Sequence, residues 1–244
     1  MLVQDMVKFM GAMQMNTVGI IGGIGPESTI EYYRLIISSY LGKEKRGNYP
    51  QIIINSINMK RMLDLIGNNQ FDEVTEYLVA EIQKVASAGA DFAVLASNTP
   101  HIVFNQINQK SPLPLISIVE VTCEEAMRKG MQRVGLFGTK FTMQGGFYDK
   151  IFSVQGITVI SPSNKDQDYI HDKYMGELVK GIIRENTKNE LLKIANTLKD
   201  NNSIHGLILG GTELPLILKE NDADEIEFLD TTKIHVESIM KRLF

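Results

Sequence analysis

Cysteine, tryptophan and histidine are scarce in this chain. Its 244 residues include one cysteine, Cys123, no tryptophan and four histidines. A single cysteine excludes a disulfide framework and any zinc site built from several cysteines. The histidines stand at positions 101, 171, 205 and 235 and form no HExxH or comparable ligand spacing. The sequence therefore predicts neither a metal centre nor a disulfide-stabilised fold.

The chain also lacks an excess of positive charge and a long apolar run. Lys and Arg number 25 against 29 Asp and Glu, which gives a net charge of −4 with neutral histidines. Such a chain cannot neutralise a run of phosphates, so we expect no nucleic-acid partner. Its apolar runs, such as residues 207–211, are far shorter than the ~18–20 residues of a membrane span. We expect a cytoplasmic protein that does not bind membranes.

We expect no secretion signal in the first fourteen residues. They have no basic start, no continuous apolar core and no cleavage site of small residues. We interpret residues 1–14 as an N-terminal extension, or as residues upstream of the true start at Met15. A short helix packed on the surface is the alternative.

What the chain does contain is a regular alternation of short apolar runs and amphipathic stretches from residue 17 onward. Strands that alternate with helices indicate an α/β fold with parallel sheets and helices on both faces. The predicted strands are 18–21, 52–54, 92–95, 115–118, 134–137, 157–160, 204–209 and 227–229. The predicted helices begin near residues 28 and 146 or span 71–88, 120–129, 165–185, 188–198 and 232–243.

Two pairs of segments indicate an internal duplication. TVGIIGG and RVGLFGT bring Gly22 and Gly138 to the ends of similar strands, and ADFAVLASNT and HGLILGGTE do the same for Ser97 and Gly211. The two pairs have nearly the same separation, which predicts two similar parallel-sheet domains related by pseudo-two-fold symmetry. We assign residues 15–112 plus 227–244 to the first domain and 113–226 to the second. Ligands of such sheets bind at the strand C-terminal ends, so we expect the site in the cleft between the domains. Two unrelated Rossmann-like halves are the alternative.

The glycine-rich stretch GGIGPEST after the first strand is ambiguous. Its backbone amides suit an anion at a helix N-terminus. As a dinucleotide fingerprint it is weak, because Ser28 holds the third glycine position. The second strand also ends without an acidic residue to bind a ribose. The motif therefore gives little support to NAD binding.

Three strand ends are rich in hydroxyl groups. SNTPH offers Asn98 and Thr99, GTKFT offers Thr139 and Thr142, and GGTE offers Thr212. Neutral donors of this kind suit a substrate carboxylate. Taken alone, each turn reads equally well as a helix cap. Their repetition in a symmetric chain favours a carboxylate-binding cleft.

Two ionisable residues in these turns are candidate acid–base groups. Glu213 reads as a base, as a buried ion-pair partner or as a solvated residue. His101 reads as an orienting or proton-donating group, and equally as a histidine of a packed helix. Cys123 lies among apolar neighbours and reads as a small buried hydrophobe.

At these residues the chain resembles the aspartate/glutamate racemase family. The matching stretches are GIIGGIGPESTIEYY, GADFAVLASNTPH, VGLFGTKFTMQGGFY, LILGGTELPLI and LDTTKIHVE. The resemblance implies two similar α/β domains with the site between them, commonly in a homodimer. It also implies racemisation of an acidic amino acid without pyridoxal phosphate or a metal.

The resemblance further implies two proton-transferring cysteines, one in each half, because a cleft can lower the pKa of a thiol. Their positions are held here by Ser97 and Gly211. One branch of the family has threonine at the first position, which Ser97 resembles, whereas Gly211 has no side chain. The family's substrate-binding positions match better, at Asn98, Thr99 and Thr212, with Thr139 from the second half.

Three functional hypotheses follow. The first is a racemase that uses Ser97 on one face of the substrate and Glu213, His101 or a bound water on the other. The second is a catalytically silent homologue that binds an amino acid or related carboxylate. The third, a lyase or decarboxylase, needs only one protonating residue. For each of them the predicted ligand is a small molecule, bound near Gly211 and the hydroxyl-bearing residues above.

Overall fold

A computed structural model of the protein describes residues 16–223 and 225–244. The predicted extension, residues 1–14, lies outside the described residues. Within the described ranges, no helix combines the length and the apolar character needed to cross a membrane.

The described strands form two sheets of four parallel strands each. They are β1 (Thr17–Gly22), β2 (Gln51–Ser56), β3 (Phe92–Leu95), β4 (Leu115–Ile116), β5 (Arg133–Gly138), β6 (Thr158–Ile160), β7 (Gly206–Gly210) and β8 (Glu227–Asp230). The order is β2-β1-β3-β4 in the first sheet and β6-β5-β7-β8 in the second. The repeated order confirms the predicted α/β class with two similar parallel sheets.

Helices cover the sheets, as parallel strands buried on both faces require. The α-helices are α1 (Pro26–Lys43), α2 (Met59–Gly67), α3 (Phe71–Ser87), α4 (Phe104–Lys110), α5 (Ile118–Arg128), α6 (Lys140–Gln144), α7 (Phe147–Val154), α8 (Asn164–Gly176), α9 (Glu185–Asn202), α10 (Leu214–Ile217) and α11 (Thr231–Leu243). Two 3₁₀ helices span Thr99–Val103 and Leu178–Lys180.

The first strand of each half lies inside its sheet. Ile20 of β1 pairs with Ile54 of β2 and Val94 of β3. Gly135 of β5 pairs in the same way with Ile160 of β6 and with Leu207 of β7. All residues of β1 are buried, as are those of β5 after the first. The two C-terminal ends therefore emerge in equivalent positions, which is where the site forms.

Side-chain caps set several helix starts. The hydroxyl of Ser117 accepts from the amide of Glu120 at the start of α5, over 3.3 Å. The Asp230 carboxylate accepts from the amides of Thr232 and Lys233 at the start of α11, each over 3.0 Å. Such caps satisfy amides that have no partner within the helix.

Two strands pair across the predicted domain boundaries. β4 pairs with β3, so the first sheet extends past residue 112, to Ile116. β8 pairs with β7 and belongs to the second sheet, although residues 227–244 were assigned to the first domain. Only α11 of that segment packs on the first half, where Val236 and Ile239 join the core around Tyr32. The chain thus crosses back between β8 and α11.

Several observed elements differ from the predicted ones. Residues 59–67, to which no element was assigned, form α2, which the side chain of Asn58 caps. The predicted helix 165–185 ends at Gly176, because the chain turns through a 3₁₀ helix to Gly181, which has a φ of 69°. The predicted strand 115–118 ends at Ile116, because Ser117 already caps α5.

A glycine at the end of the first strand of each half allows the next helix to approach closely. A Cβ on Gly22 would lie 2.5 Å from Cγ2 of Thr29, and one on Gly138 would lie 2.9 Å from Cβ of Thr142. Real Cβ contacts are longer, so both positions need glycine. This close approach brings the helix starts against the strand ends that border the site.

Candidate active site

A small cavity of about 20 Å³ lies where the strand ends of the two halves meet. We call it the cleft cavity. Gly25, Ser97 and Thr99 line it from the first half, and Thr139, Tyr174 and Glu213 line it from the second. Four of the predicted site residues thus come together, although they are far apart in the sequence.

Three threonine hydroxyls join the halves beside the cleft cavity. Oγ1 of Thr99 lies 3.1 Å from Oγ1 of Thr139 and 3.4 Å from Oγ1 of Thr142. Thr139 and Thr142 are themselves 3.1 Å apart through their hydroxyl oxygens. All three are buried. The hydroxyl groups predicted to bind a carboxylate therefore hydrogen-bond to one another in this structure.

Asn98 is tied to the surrounding framework. Its Nδ2 donates to Oγ1 of Thr231 over 3.2 Å, and its Oδ1 accepts from the hydroxyl of Tyr148 over 2.6 Å. Both ends of the amide are engaged, so Asn98 connects α11 to α7. It does not line the cleft cavity of the described structure.

Ser97 follows β3, at the C-terminal end of that strand. Its side chain is 7% exposed and lines the cleft cavity. Its hydroxyl makes no hydrogen bond with any residue in 16–223 or 225–244. The hydroxyl is therefore free to contact a ligand, but no neighbouring base activates it in this state.

His101 holds the backbone near Ser97 and does not reach the Ser97 hydroxyl. Nδ1 lies 3.1 Å from the carbonyl oxygen of Ser97, and Nε2 accepts from the amide of Ile118 over 3.3 Å. Burial, together with the nearby His235, lowers the pKa of His101 to about 3. The ring is thus neutral, with its proton on Nδ1. This geometry supports a positioning role and gives no support to His101 as the base of Ser97.

Glu213 is a fully buried carboxylate with only one of its oxygens satisfied. Oε2 accepts from the hydroxyl of Tyr174 and, over 3.1 Å, from that of Thr212. Oε1 has no partner among the described residues and faces Gly25, where any Cβ would overlap it. Burial raises the pKa of the Glu213 carboxyl. An unsatisfied buried oxygen is costly, so it indicates a missing donor at this point.

Tyr174 occupies the space beside Gly211, at the C-terminal end of β7. A Cβ on Gly211 would lie 2.9 Å from Cζ and 3.1 Å from the hydroxyl oxygen of Tyr174. Burial and the neighbouring Glu213 raise the pKa of the Tyr174 phenol well above its usual value. Tyr174 was not among the predicted site residues, because Tyr174 lies in the largely polar helix α8 and only the fold brings its ring to the end of β7.

Other candidate groups lie away from the cleft cavity. Burial raises the pKa of Cys123 to about 11, which keeps its thiol protonated. His235 contacts the hydroxyl of Tyr32 over 2.7 Å and the carbonyl oxygen of Ile116 over 3.0 Å, inside the core. In the part of the chain that is described, no three His, Cys, Asp or Glu side chains cluster as metal ligands would.

A larger cavity of about 450 Å³ lies beside β7 and β8. Thr212 lines it, together with the charged residues Arg34, Asp230 and Lys233. Ser97 and Glu213 do not line this larger cavity. Volume alone therefore does not identify the site, and the convergence of polar groups favours the cleft cavity.

Known proteins share both the sequence pattern and the fold. The profile of the Asp/Glu/Hydantoin racemase family matches residues 21–239. The broad specificity amino-acid racemase RacX of Bacillus subtilis (strain 168) is 26% identical over 220 residues, which cover 88% of this chain and 92% of RacX. An aspartate racemase homologue from Pyrococcus horikoshii OT3 superposes with a TM-score of 0.81 at 31% identity, over 94% of this chain and 99% of that one. An aspartate racemase from Picrophilus torridus shares the fold, with a TM-score of 0.73 at 21% identity over 93% and 94% of the two chains. The chain belongs to the Asp/Glu/Hydantoin racemase family.

Proposed function

We propose that this protein is an amino-acid racemase that binds its substrate in the cleft cavity and transfers the α-proton without pyridoxal phosphate. An acidic amino acid is the first candidate substrate. The observation that carries the proposal is the unpartnered Oε1 of Glu213 in a cavity that Ser97 and the threonine hydroxyls also border. An α-ammonium group is the donor that this oxygen lacks.

The remaining polar groups suit the rest of an amino acid. Thr99 and Thr139 can turn their hydroxyls from each other to a carboxylate, since a hydroxyl hydrogen rotates freely. Ser97 on the first half and Glu213 on the second then lie on different sides of the α-carbon. Racemisation needs proton transfer on both faces, so this two-sided arrangement suits it.

Substrate binding requires the cleft to open. A cavity of about 20 Å³ has room for about one water molecule, which is far less than an amino acid needs. The lining comes from both halves, including Leu63 of α2 and Met175 of α8. We propose that the halves move apart to admit the substrate and close over it, which excludes water from the reaction.

The alternative function is binding without catalysis. Two observations favour it: the Ser97 hydroxyl has no activating base among the described residues, and Gly211 has no side chain. A silent homologue would keep the ammonium and carboxylate contacts and transfer no proton.

Proton NMR in deuterated water separates the two functions. Purified protein is incubated with L- and D-aspartate, L- and D-glutamate and several neutral amino acids, and binding of each is measured by calorimetry. The racemase predicts loss of the α-proton signal of at least one amino acid, above a no-protein control. Calorimetric binding without any such loss would support the silent homologue instead.

We also propose that the protein is a homodimer. Several large apolar side chains are exposed on or near α1 and the edge strand β2, namely Ile30, Tyr33, Leu41, Tyr49 and Ile54. An apolar face of this kind marks an interaction surface more often than a solvent-facing one. Light scattering coupled to size-exclusion chromatography checks the mass, and replacing Ile30 and Tyr33 with lysine should yield a monomer.

A further inference from the structure

We infer that the hydroxyl of Tyr174 is the second catalytic acid–base group of this site and takes the place of the thiol that position 211 lacks. The inference rests on the proposed function, since it assigns a group to one of the two proton transfers. It concerns the face of the substrate on the side of Gly211, and Ser97 serves the opposite face.

The position of the Tyr174 ring is the first observation that supports this role. The ring packs directly on Gly211, and the hydroxyl oxygen lies 3.1 Å from the point where a side chain at 211 would begin. The sulfur of a thiol at position 211 would lie one covalent bond from that point. The Tyr174 oxygen therefore lies close to the region that the thiol would occupy. Any side chain at 211 would overlap the ring, so Gly211 and Tyr174 depend on each other.

The set of ionisable side chains that line the cleft cavity is the second supporting observation. Among the described residues that line the cleft cavity, Tyr174 and Glu213 are the ionisable ones apart from aliphatic hydroxyls. The two buried histidines, His101 and His235, use both ring nitrogens for contacts elsewhere. His171 accepts from the amide of Lys140 over 3.2 Å and does not line the cleft cavity. On the Gly211 side, the Tyr174–Glu213 pair is therefore the candidate acid–base group.

The hydrogen bond between Tyr174 and Glu213 is the third supporting observation. The phenol donates to Oε2, and Oε1 remains for the substrate ammonium. Burial raises the pKa of both groups, so the phenol keeps its proton at neutral pH and the carboxyl readily accepts one. The carboxylate can therefore take the phenol proton while the phenol oxygen takes another.

When the α-hydrogen faces Gly211, proton transfer begins at Tyr174. The oxygen of Tyr174 takes the α-proton, the former Tyr174 proton passes to Oε2 of Glu213, and the C–H electron pair remains on the α-carbon. The carbanion then takes the hydroxyl proton of Ser97 on its other face, which inverts the centre. A proton passes through water from Glu213 to the Ser97 alkoxide and restores the site. The opposite enantiomer reacts by the reverse sequence.

The test compares Tyr174→Phe with Tyr169→Phe in the α-proton exchange assay. Tyr169 lies on the same helix and outside the lining of the cleft cavity, so its variant is the matched control. We expect Tyr174→Phe to slow exchange at least about 100-fold, as loss of a general acid–base group does, while the calorimetric Kd changes less than about fivefold. Tyr169→Phe should keep the wild-type rate.

A thiol variant separates chemistry from structure. The double variant Gly211→Cys with Tyr174→Ala removes the ring and returns a thiol to the second position. We expect this double variant to exchange the α-proton faster than Tyr174→Phe. Its exchange rate should depend on pH as the ionisation of the thiol does. A folded Tyr174→Phe that exchanges within threefold of wild type would overturn the role of Tyr174 and leave the proposed racemase standing. Absence of exchange in the wild-type protein with every amino acid would overturn the proposed function itself.

Discussion

At the scale of single residues, the proposed site combines one hydroxyl, one phenol and one carboxylate around a small cavity. Ser97 contributes from the first half, and Tyr174 and Glu213 contribute from the second. Each has a different environment: the Ser97 hydroxyl has no described partner, whereas Tyr174 and Glu213 share a hydrogen bond. This asymmetry predicts that the two proton transfers respond differently to mutation.

Ser97→Ala should abolish inversion and retain exchange from one face. Removing the hydroxyl deletes the proton donor on the first half, so inversion should fall at least about 100-fold. The Tyr174–Glu213 pair can still remove and return the α-proton on its own side. Chiral chromatography measures inversion, and proton NMR in deuterated water measures exchange. The exposed Ser38→Ala is the control, and unchanged inversion in Ser97→Ala would contradict the assignment.

Glu213→Gln should stabilise the ligand-free protein at neutral pH while weakening amino-acid binding. Burial raises the folded-state pKa of Glu213 above its ordinary value of 4.5. The folded state therefore binds more protons than the unfolded state above pH 4.5, and this residue costs stability as the pH rises through the folded pKa. An unsatisfied buried polar group costs about 1–3 kcal/mol and a charged one costs more, so the neutral amide of Gln should be the less costly group.

Urea unfolding of both proteins across pH 4–8 checks this expectation. The gain of Glu213→Gln should be small near pH 4.5 and reach its full size only at higher pH. Calorimetry on the same samples should show a weaker Kd for the amino acid. Glu190→Gln, on the exposed face of α9, is the control. A loss of stability at pH 8 would show that the charged carboxylate stabilises the fold.

At the scale of elements, much of the architecture follows from local signals. Buried apolar runs predict the strands, and the repeated glycine after the first strand of each half predicts the duplication. The boundaries at β4 and β8 could not be predicted in the same way, because pairing with β3 or β7 depends on contacts between residues far apart in the chain. The helix α2 was missed because its short amphipathic run lies among polar residues.

The contribution of close strand–helix contact can be tested with two glycines. Gly22→Ala should destabilise the protein by about 1–3 kcal/mol, because its Cβ would overlap the Thr29 side chain. Gly42→Ala, in α1 with open space around it, should instead stabilise the protein by about 0.5 kcal/mol. Thermal and urea unfolding measure both, and equal effects of the two substitutions would contradict the packing argument.

At the scale of the whole molecule, the sequence predicts a cleft site, and four of the predicted residues line the cleft cavity, but their hydrogen-bond partners could not be predicted. Thr99 and Thr139 were predicted as ligand donors, and only the fold shows them bonded to each other across the halves. Tyr174 could not be found from spacing, because its contact with Gly211 joins a helix to a distant strand end. Sequence patterns locate strand ends well, whereas side chains that arrive from other elements require the tertiary structure.

Stability of the whole molecule should fall in mild acid because of two buried histidines. Burial lowers the pKa of His101 to about 3 and that of His235 to about 4, both below the ordinary 6.5. The unfolded state therefore binds protons first as the pH drops below about 6.5, and each histidine then costs up to about 1.4 kcal/mol per pH unit. Urea unfolding between pH 7.5 and 4.5 should show this slope, and His235→Gln should reduce it. A flat profile would contradict the buried neutral state.

The central claim, proton transfer on both faces of an amino acid, is tested most directly by chiral chromatography from pure enantiomers. L- and D-aspartate and L- and D-glutamate are incubated separately with the purified protein, and neutral amino acids follow. The account predicts that both enantiomers of at least one amino acid converge on an equal mixture, and that Ser97→Ala and Tyr174→Phe prevent this convergence. Enantiomers that stay pure while calorimetry detects their binding would contradict the account and leave a protein that only binds amino acids.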